Sequence, residues 1–231
     1  MARAVIFDCD GVLLELTRPE EEVFFQAFAP LLDATGLSRD WNSYRIRNDE
    51  DIVAEILARH GLPASDAPAF KARYLALLNQ ALATGRVKSL IVPHVRSLLT
   101  ALTPRARLGL ATANFLPAAR LRLERARLWQ AVSSLAFGAE GGGSKTVILA
   151  RALAASGLDP AQVVYVGDNV TDVMAARCLG IPFLGFSRSA LRRRTLLAAG
   201  AASITNNHLE TLRLITAHLA GEAPLRPPSR L

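Results

Sequence analysis

Short apolar runs alternate with longer amphipathic stretches over most of this 231-residue chain. Val5-Ile6-Phe7 and Val163-Val164-Tyr165-Val166 are continuous and rich in β-branched and aromatic residues, the pattern of strands buried on both faces. Arg107 to Ala111 reads as a third strand, and shorter ones are expected near 133–137, 182–186 and 202–204. From Pro93 onward strands alternate with helical periodicity, which predicts a parallel sheet covered on both faces. Before Pro93 the only strand is the first. Residues 19–37 read as a helix with Phe24, Phe25 and Phe28 on one side, kinked or broken at Pro30. Residues 49–60 and 67–82 read as two further helices. The expected fold is α/β: a doubly wound, Rossmann-like core of residues 1–16 and 88–220, interrupted by a helical insertion of residues 17–87. Residues 221–231, rich in Pro, Arg and Ser, are expected to be a flexible tail.

Chemistry gathers at the strand ends. Asp8 and Asp10 follow the first strand and precede Gly11. Residues two apart in extended chain share a face, and the carboxyl end of a strand is where open α/β sheets bind ligands. Two carboxylates there can act as nucleophile or metal ligand and as acid/base; Asp and Gly are also ordinary turn residues, and the segment alone leaves both readings open. The strand at 163–166 runs into Gly167-Asp168, and Asp172 lies one helical turn later. Oxygen ligands so spaced suit Mg²⁺, although acids also decorate helix N-termini for electrostatic reasons. Thr112-Ala113-Asn114 ends the strand at 107–111 and offers a hydroxyl and backbone N–H groups to phosphoryl oxygens, or else a helix cap. Lys145, one of three lysines with Lys71 and Lys88, opens a helix after Gly141-Gly142-Gly143-Ser144. An ammonium there opposes the helix dipole, so local stability does not account for it, whereas a phosphoryl partner does.

These four segments, in this order, resemble the motifs of the haloacid dehalogenase-like hydrolase superfamily, over most of the chain from Ala4 to about Leu219. The pattern is similar to the phosphoglycolate phosphatase and β-phosphoglucomutase-like branch, which inserts a helical cap between its first two motifs. The resemblance implies a Mg²⁺-dependent phosphatase working through an aspartyl-phosphate. Asp8 would be the nucleophile and Asp10 the acid/base, with Thr112 and Lys145 holding the transferring oxygens beside Gly11, Ala113 and Asn114. Asp8, the Asp10 carbonyl and Asp168 would hold Mg²⁺, and Asp172 would bind it directly or through water. Asp10 favours phosphate esters, because dehalogenase and phosphonate-cleaving relatives lack an acid there. A phosphosugar mutase and a non-catalytic metal-binding module are the alternative readings. One departure is Thr146 after Lys145, where that branch usually carries proline. Among cap residues, Arg45, Arg47 and Asn48 are candidates for grasping the substrate's far end, and Trp41 for lining the cleft.

Composition narrows the setting. No apolar stretch reaches the ~18 residues a membrane helix needs, and the start of the sequence has no signal-peptide pattern. Cys9 and Cys178 make no disulfide framework, so a reducing cytoplasm is expected, with Cys9 a small core residue. The formal charge is +7, but the basic residues are scattered. The densest runs, 120–127 and 192–194, lack aromatic interleaving, and the first alternates with Leu and Ala like a solvated helix face. Nucleic acid is therefore not an expected partner; a small phosphorylated substrate is, and a positive field would help gather it.

Overall fold

The computed structural model describes residues 3–229. Its six strands are β1 Ala4–Phe7, β2 Arg107–Ala111, β3 Ala136–Phe137, β4 Val163–Gly167, β5 Phe183–Phe186 and β6 Ile204–Thr205. They form one parallel sheet in the order β3-β2-β1-β4-β5-β6. The helices are α1 Arg18–Gln26, α2 Asp49–Arg59, α3 Ala67–Ala83, α4 Val95–Leu102, α5 Leu116–Arg125, α6 Trp129–Val132, α7 Lys145–Ser156, α8 Val170–Leu179, α9 Ala190–Ala198 and α10 His208–Ala220. This is the doubly wound α/β fold that the run pattern predicts. Strand alternation divides the core. Val5, Phe7, Leu108, Leu110, Val164 and Val166 pack on one face with α4, α5 and α10, while Ala4, Ile6, Val163, Tyr165 and Phe183 pack on the other with α7, α8 and α9. Two elements that follow β1 in opposite directions, β2 and β4, flank it. The sheet's switch point, where such folds place ligands, therefore lies at the ends of these three strands.

Helices α1, α2 and α3 fall between β1 and β2 and share a separate apolar cluster of Phe24, Phe25, Phe28, Ile52, Ile56, Phe70 and Tyr74, to which the core contributes Phe115 and Ala118. Aromatic edges dominate it: Phe24 meets Phe70 at 5.3 Å and Tyr74 at 5.2 Å between ring centres. The residues expected as one helix over 19–37 divide earlier than Pro30. The α-helix stops at Gln26 and a 3₁₀ turn follows at Ala34–Gly36; Pro30 has no N–H to bond the Gln26 carbonyl, so the break it causes falls a turn ahead of it. Among the described residues no helix is long and apolar enough to cross a membrane.

The expectation of a flexible tail is corrected as far as residue 229; residues 230–231 lie outside the described residues. Leu225 is buried, the Phe183 N–H donates to the Arg226 carbonyl (3.1 Å) and the Ser229 N–H to the Gly200 carbonyl (3.0 Å). The tail lies beside the start of β5, where short β6 leaves backbone groups to be paired.

Candidate active site

Asp8 sits directly beyond β1, its N–H donating to the Val166 carbonyl of the neighbouring strand (2.9 Å). Asp168 follows β4, and Asp172 lies in the first turn of α8. All three are buried, and one carboxylate oxygen from each lies within 4.8 Å of the others. Lys145, the first residue of α7, reaches in between: Nζ donates to Asp8 Oδ1 at 2.6 Å and lies 3.1 Å from Asp172 Oδ1. Burial pushes this ammonium's pKa down, but Asp172 and Asp8 push it up further and leave it above that of an ordinary lysine. Burial pushes the Asp8 carboxyl up; Lys145 opposes the rise, and Asp172 and Asp168 add to it. Asp168 rises to about 6 from burial and from Asp172, against Arg192, whose guanidinium pairs with its Oδ2.

Asp172 is the most enclosed member. Tyr165 Oη donates to its Oδ1 (2.7 Å), and the N–H groups of Asp168 and Asn169 donate to its Oδ2 (3.1 and 3.0 Å). Protein donors thus hold both of its oxygens. The sequence pattern pairs Asp168 with Asp172, but it gives no sign of Tyr165, whose ring reads as one more apolar position of β4.

Gly11 approaches this cluster closely. Its φ is +75°, and a Cβ there would stand 2.2 Å from Asp168 Oδ2. The position needs glycine both for its conformation and for space. The Asp10 carboxylate turns away from the acidic cluster to Arg122, with Nη2 donating to Oδ1 at 2.5 Å.

Arg122 is an outright correction to the reading of 120–127 as a solvated face. It is among the largest fully buried side chains in the protein, and its Nε also pairs with Glu20 on α1. Buried Ala118, Ala119 and Leu123 share its helix face, so position 122 falls on the inward stripe of α5. An arginine at an inward position of a helix was the available signal.

The cleft above the strand ends measures about 1050 Å³. Asp8, Asp10, Gly11, Ala113, Asn114, Lys145 and Asp168 border it from the core, and Phe24, Trp41, Arg47, Asn48, Asp49 and Tyr74 from the helical insertion. Thr112 is fully buried behind this wall; its hydroxyl donates to Asn114 Oδ1 (2.6 Å) and accepts from the Asn114 N–H (3.2 Å). Arg47 reaches the core side, donating to Asn169 Oδ1 at 2.5 Å. Arg45 does not join the site. It is exposed and absent from the cleft wall, its backbone N–H donating to Glu55, because the 3₁₀ turn at Trp41–Ser43 and the extended residues after it point it outward. His60 and His94 are exposed at helix ends. Cys9 is a buried core residue whose thiol is pushed up by burial and by Asp10.

The glycines before Lys145 acquire a reason. Gly141, Gly142 and Gly143 all have positive φ (82°, 64° and 93°), a run that other residues would strain. The loop they form meets the insertion: Gly143 N–H donates to Asp51 Oδ2 (2.7 Å), and Asn48 Nδ2 donates to the Gly143 carbonyl (2.6 Å). Asp49 adds a second tie at the start of α2. Its N–H donates to the Ala113 carbonyl (2.9 Å), and its Oδ2 accepts from the Phe115 N–H (2.7 Å). Burial raises the Asp49 carboxyl to about 7 in spite of that donor.

A strand-end carboxylate, a lysine between two carboxylates and an acidic oxygen cluster thus gather at the ligand-binding edge of a Rossmann-like sheet, as in hydrolases of this architecture. A sequence profile of the haloacid dehalogenase-like hydrolases matches residues 2–180, and the chain belongs to that family. A phosphoglycolate phosphatase from Synechococcus elongatus is 29% identical over 219 residues, covering 93% of this chain and 97% of that protein. The protein is thus an enzyme, a hydrolase of the phosphatase kind. Among solved structures, CbbY from Rhodobacter sphaeroides in complex with xylulose-(1,5)-bisphosphate aligns with a TM-score of 0.70 at 20% identity, covering 91% of this chain and 96% of that one. A haloacid dehalogenase-like hydrolase from Streptococcus pneumoniae aligns at 0.66 and 19%, covering 93% and 98%. At these identities the structural matches speak for the fold.

Proposed function

We propose that this is a Mg²⁺-dependent phosphatase of a small, doubly anionic phosphate monoester of the phosphoglycolate kind. In this reading residues 17–87 act as the cap over the cleft, and the enzyme works in the cytoplasm. The observation that carries it is the Lys145 ammonium held 2.6 Å from Asp8 and 3.1 Å from Asp172. The ammonium opposes the rise that burial and the neighbouring acids give the Asp8 carboxyl, and with a bound cation beside it would favour the ionised form that attacks phosphorus.

The donor set fits Mg²⁺, since three clustered carboxylates offer only oxygen ligands. Asp8, Asp168 and the Asp10 carbonyl would hold the ion, with Asp172 behind them because its oxygens are already engaged. Bound Mg²⁺ supplies the positive charge that lets a phosphate dianion sit among these acids.

Asp8 attacks phosphorus, and the new bond from its carboxylate oxygen forms as the bond to the leaving alcohol breaks. The proton of Asp10 goes to the leaving oxygen. Asp10 then takes a proton from water as the water oxygen attacks phosphorus, which frees phosphate and restores Asp8. Lys145 stays charged throughout and faces the transferring oxygens, with Gly11, Ala113 and Asn114 forming the cleft wall around them. Tyr165 and Asp172 hold Lys145 in place.

Arg47 supports a second anionic group on the substrate. Lys145, Arg122 and Arg192 each face a carboxylate, whereas among the described residues Arg47 donates to the neutral oxygens of Asn42, Asn169 and Thr171. A guanidinium in a half-buried cleft without a counter-charge suits a substrate carboxylate.

Phosphate release from a panel of phosphate esters, with Mg²⁺ and with EDTA, tests the proposal on wild type and Asp8→Asn. Release should need Mg²⁺, vanish in Asp8→Asn and favour esters with a carboxylate. Folded wild-type protein with Mg²⁺ that releases phosphate from none of them would sink it.

A further inference from the structure

Arg122 sits where two parts of the protein meet. It projects from α5 in the core, lies 2% exposed, and presents two edges of its guanidinium to two carboxylates. One is Asp10, on the loop after β1. The other is Glu20, on the first helix of the insertion. Glu20 is itself fixed: its Oε2 accepts from both the Thr17 N–H (2.8 Å) and the Thr17 hydroxyl (2.9 Å), which caps α1 just where the chain passes from core to insertion. A lysine would place one point charge; only a planar fork can hold two carboxylates at a set angle.

From this we infer that Arg122 is a positioning residue, which fixes the direction of the Asp10 carboxylate and ties it through Glu20 to the entry of the helical insertion. The inference rests on the proposed role of Asp10 in protonating the leaving group. With Oδ1 held by Arg122, the Asp10 carboxylate does not turn freely, and it lies at the edge of the cleft, 22% exposed, rather than in the acidic cluster. The Thr17–Glu20–Arg122–Asp10 chain then sets the Asp10 carboxylate by where α1 sits. Asp8 is held instead by Lys145, which opens α7 in the core. Arg122 therefore acts on the proton transfers of Asp10, to the leaving oxygen and from water, and not on the attack of Asp8 on phosphorus.

Leaving-group dependence separates these two. An alkyl ester such as phosphoglycolate needs its leaving oxygen protonated; 4-nitrophenyl phosphate leaves as a stable phenolate and does not. In Arg122→Met, kcat/KM for phosphoglycolate, which reads the steps up to loss of the alcohol, should fall on the order of 10²-fold with KM changed only a few-fold, while kcat/KM for 4-nitrophenyl phosphate falls only a few-fold; kcat falls for both esters to the extent that the Asp10-assisted attack of water limits turnover. Arg122→Lys should recover part of the alkyl rate. If Arg122→Met does not fold, because Glu20 is left buried without a partner, the double variant Glu20→Gln/Arg122→Met removes that charge and is read the same way. Equal losses of kcat/KM with both esters would overturn the inference, and so would a loss for phosphoglycolate carried by KM with kcat unchanged, which would mean that Arg122 binds the substrate directly. Wild-type protein inactive on both esters would instead overturn the phosphatase proposal on which it rests.

Discussion

His208 makes a pH-dependent claim that can be worked through. It begins α10, is fully buried, and stacks on Phe186 with ring centres 4.1 Å apart. Its Nε2 lies 2.8 Å from the carbonyl of Val12, in the loop that follows β1, and its Nδ1 is buried with no hydrogen-bond partner among the described residues. A positive charge here would lack water and would face the N-terminus of a helix. Burial pushes the ring's pKa from 6.5 to about 4, against the pull of the Val12 carbonyl. The group is depressed, so its contribution to stability is full above about 6.5 and is lost as pH falls toward about 4, because the unfolded chain takes up a proton that the folded one refuses. At 1.36 kcal/mol per pH unit the whole loss is about 3 kcal/mol, and roughly 2 kcal/mol of it falls between pH 7 and 5. Asp49 and Asp168, raised to about 7 and about 6, act in the opposite sense: the folded protein holds their protons more tightly, and stability rises as pH falls through those values. A single profile therefore mixes signs. The difference between wild type and His208→Gln isolates the ring. Urea unfolding followed by tryptophan fluorescence at pH 7, 6 and 5, at constant ionic strength, should show the stability gap between wild type and variant shrinking by roughly 2 kcal/mol. Parallel profiles, or an NMR titration of His208 near 6.5, would refute the reasoning.

Four shorter expectations follow. Tyr165→Phe removes a donor to buried Asp172 and should cost about 1–3 kcal/mol in urea unfolding and reduce kcat roughly tenfold. Gly11→Ala should cost about 1–2 kcal/mol for its left-handed backbone and, by pushing on Asp168, raise the Mg²⁺ concentration needed for half-maximal activity. Arg47→Gln should raise KM for carboxylate-bearing esters by roughly ten-fold or more and leave esters without that group nearly unchanged, which steady-state kinetics reads directly. Leu225→Ala should lower stability by about 2–3 kcal/mol if the tail is part of the core, and a change within about 0.5 kcal/mol would contradict its docking.

The legibility of this chain followed a physical divide. Asp8, Lys145, Asp168 and Asp172 could be read because each stands next to a strong backbone signal, a strand end or a helix start, and the four-residue spacing of Asp168 and Asp172 brings that pair to one side. The sheet could be read for the same reason, since buried parallel strands announce themselves as apolar runs. What local pattern could not supply was the partner across the fold. Arg122 looked solvated because its neighbours Arg120 and Arg125 are, and only Glu20 and Asp10, more than a hundred residues earlier in sequence, make its burial tolerable. Arg45 and Arg47 are equivalent in composition, yet one enters the cleft and the other points out. The tail misled through its prolines. Short composition argues for disorder, while two backbone hydrogen bonds and one buried leucine argue more strongly for docking.

The strand order carries a consequence for how the protein is made. Ala4 pairs with Arg107 on one side and with Val163 on the other. At about 5–20 residues per second, the first strand leaves the ribosome on the order of ten seconds before its second neighbour has been translated. Until β2 emerges Val5-Ile6-Phe7 has no strand to pair with, and until β4 emerges one of its edges stays open, while the helical insertion, whose contacts are nearer in sequence, can already collapse. The nascent chain thus displays a sticky β segment beside a half-formed bundle, a form that invites chaperone holding. A chain halted before Val163 lacks both β4, one of the two central strands, and Asp168, so catalytic competence arrives only in the last third of synthesis.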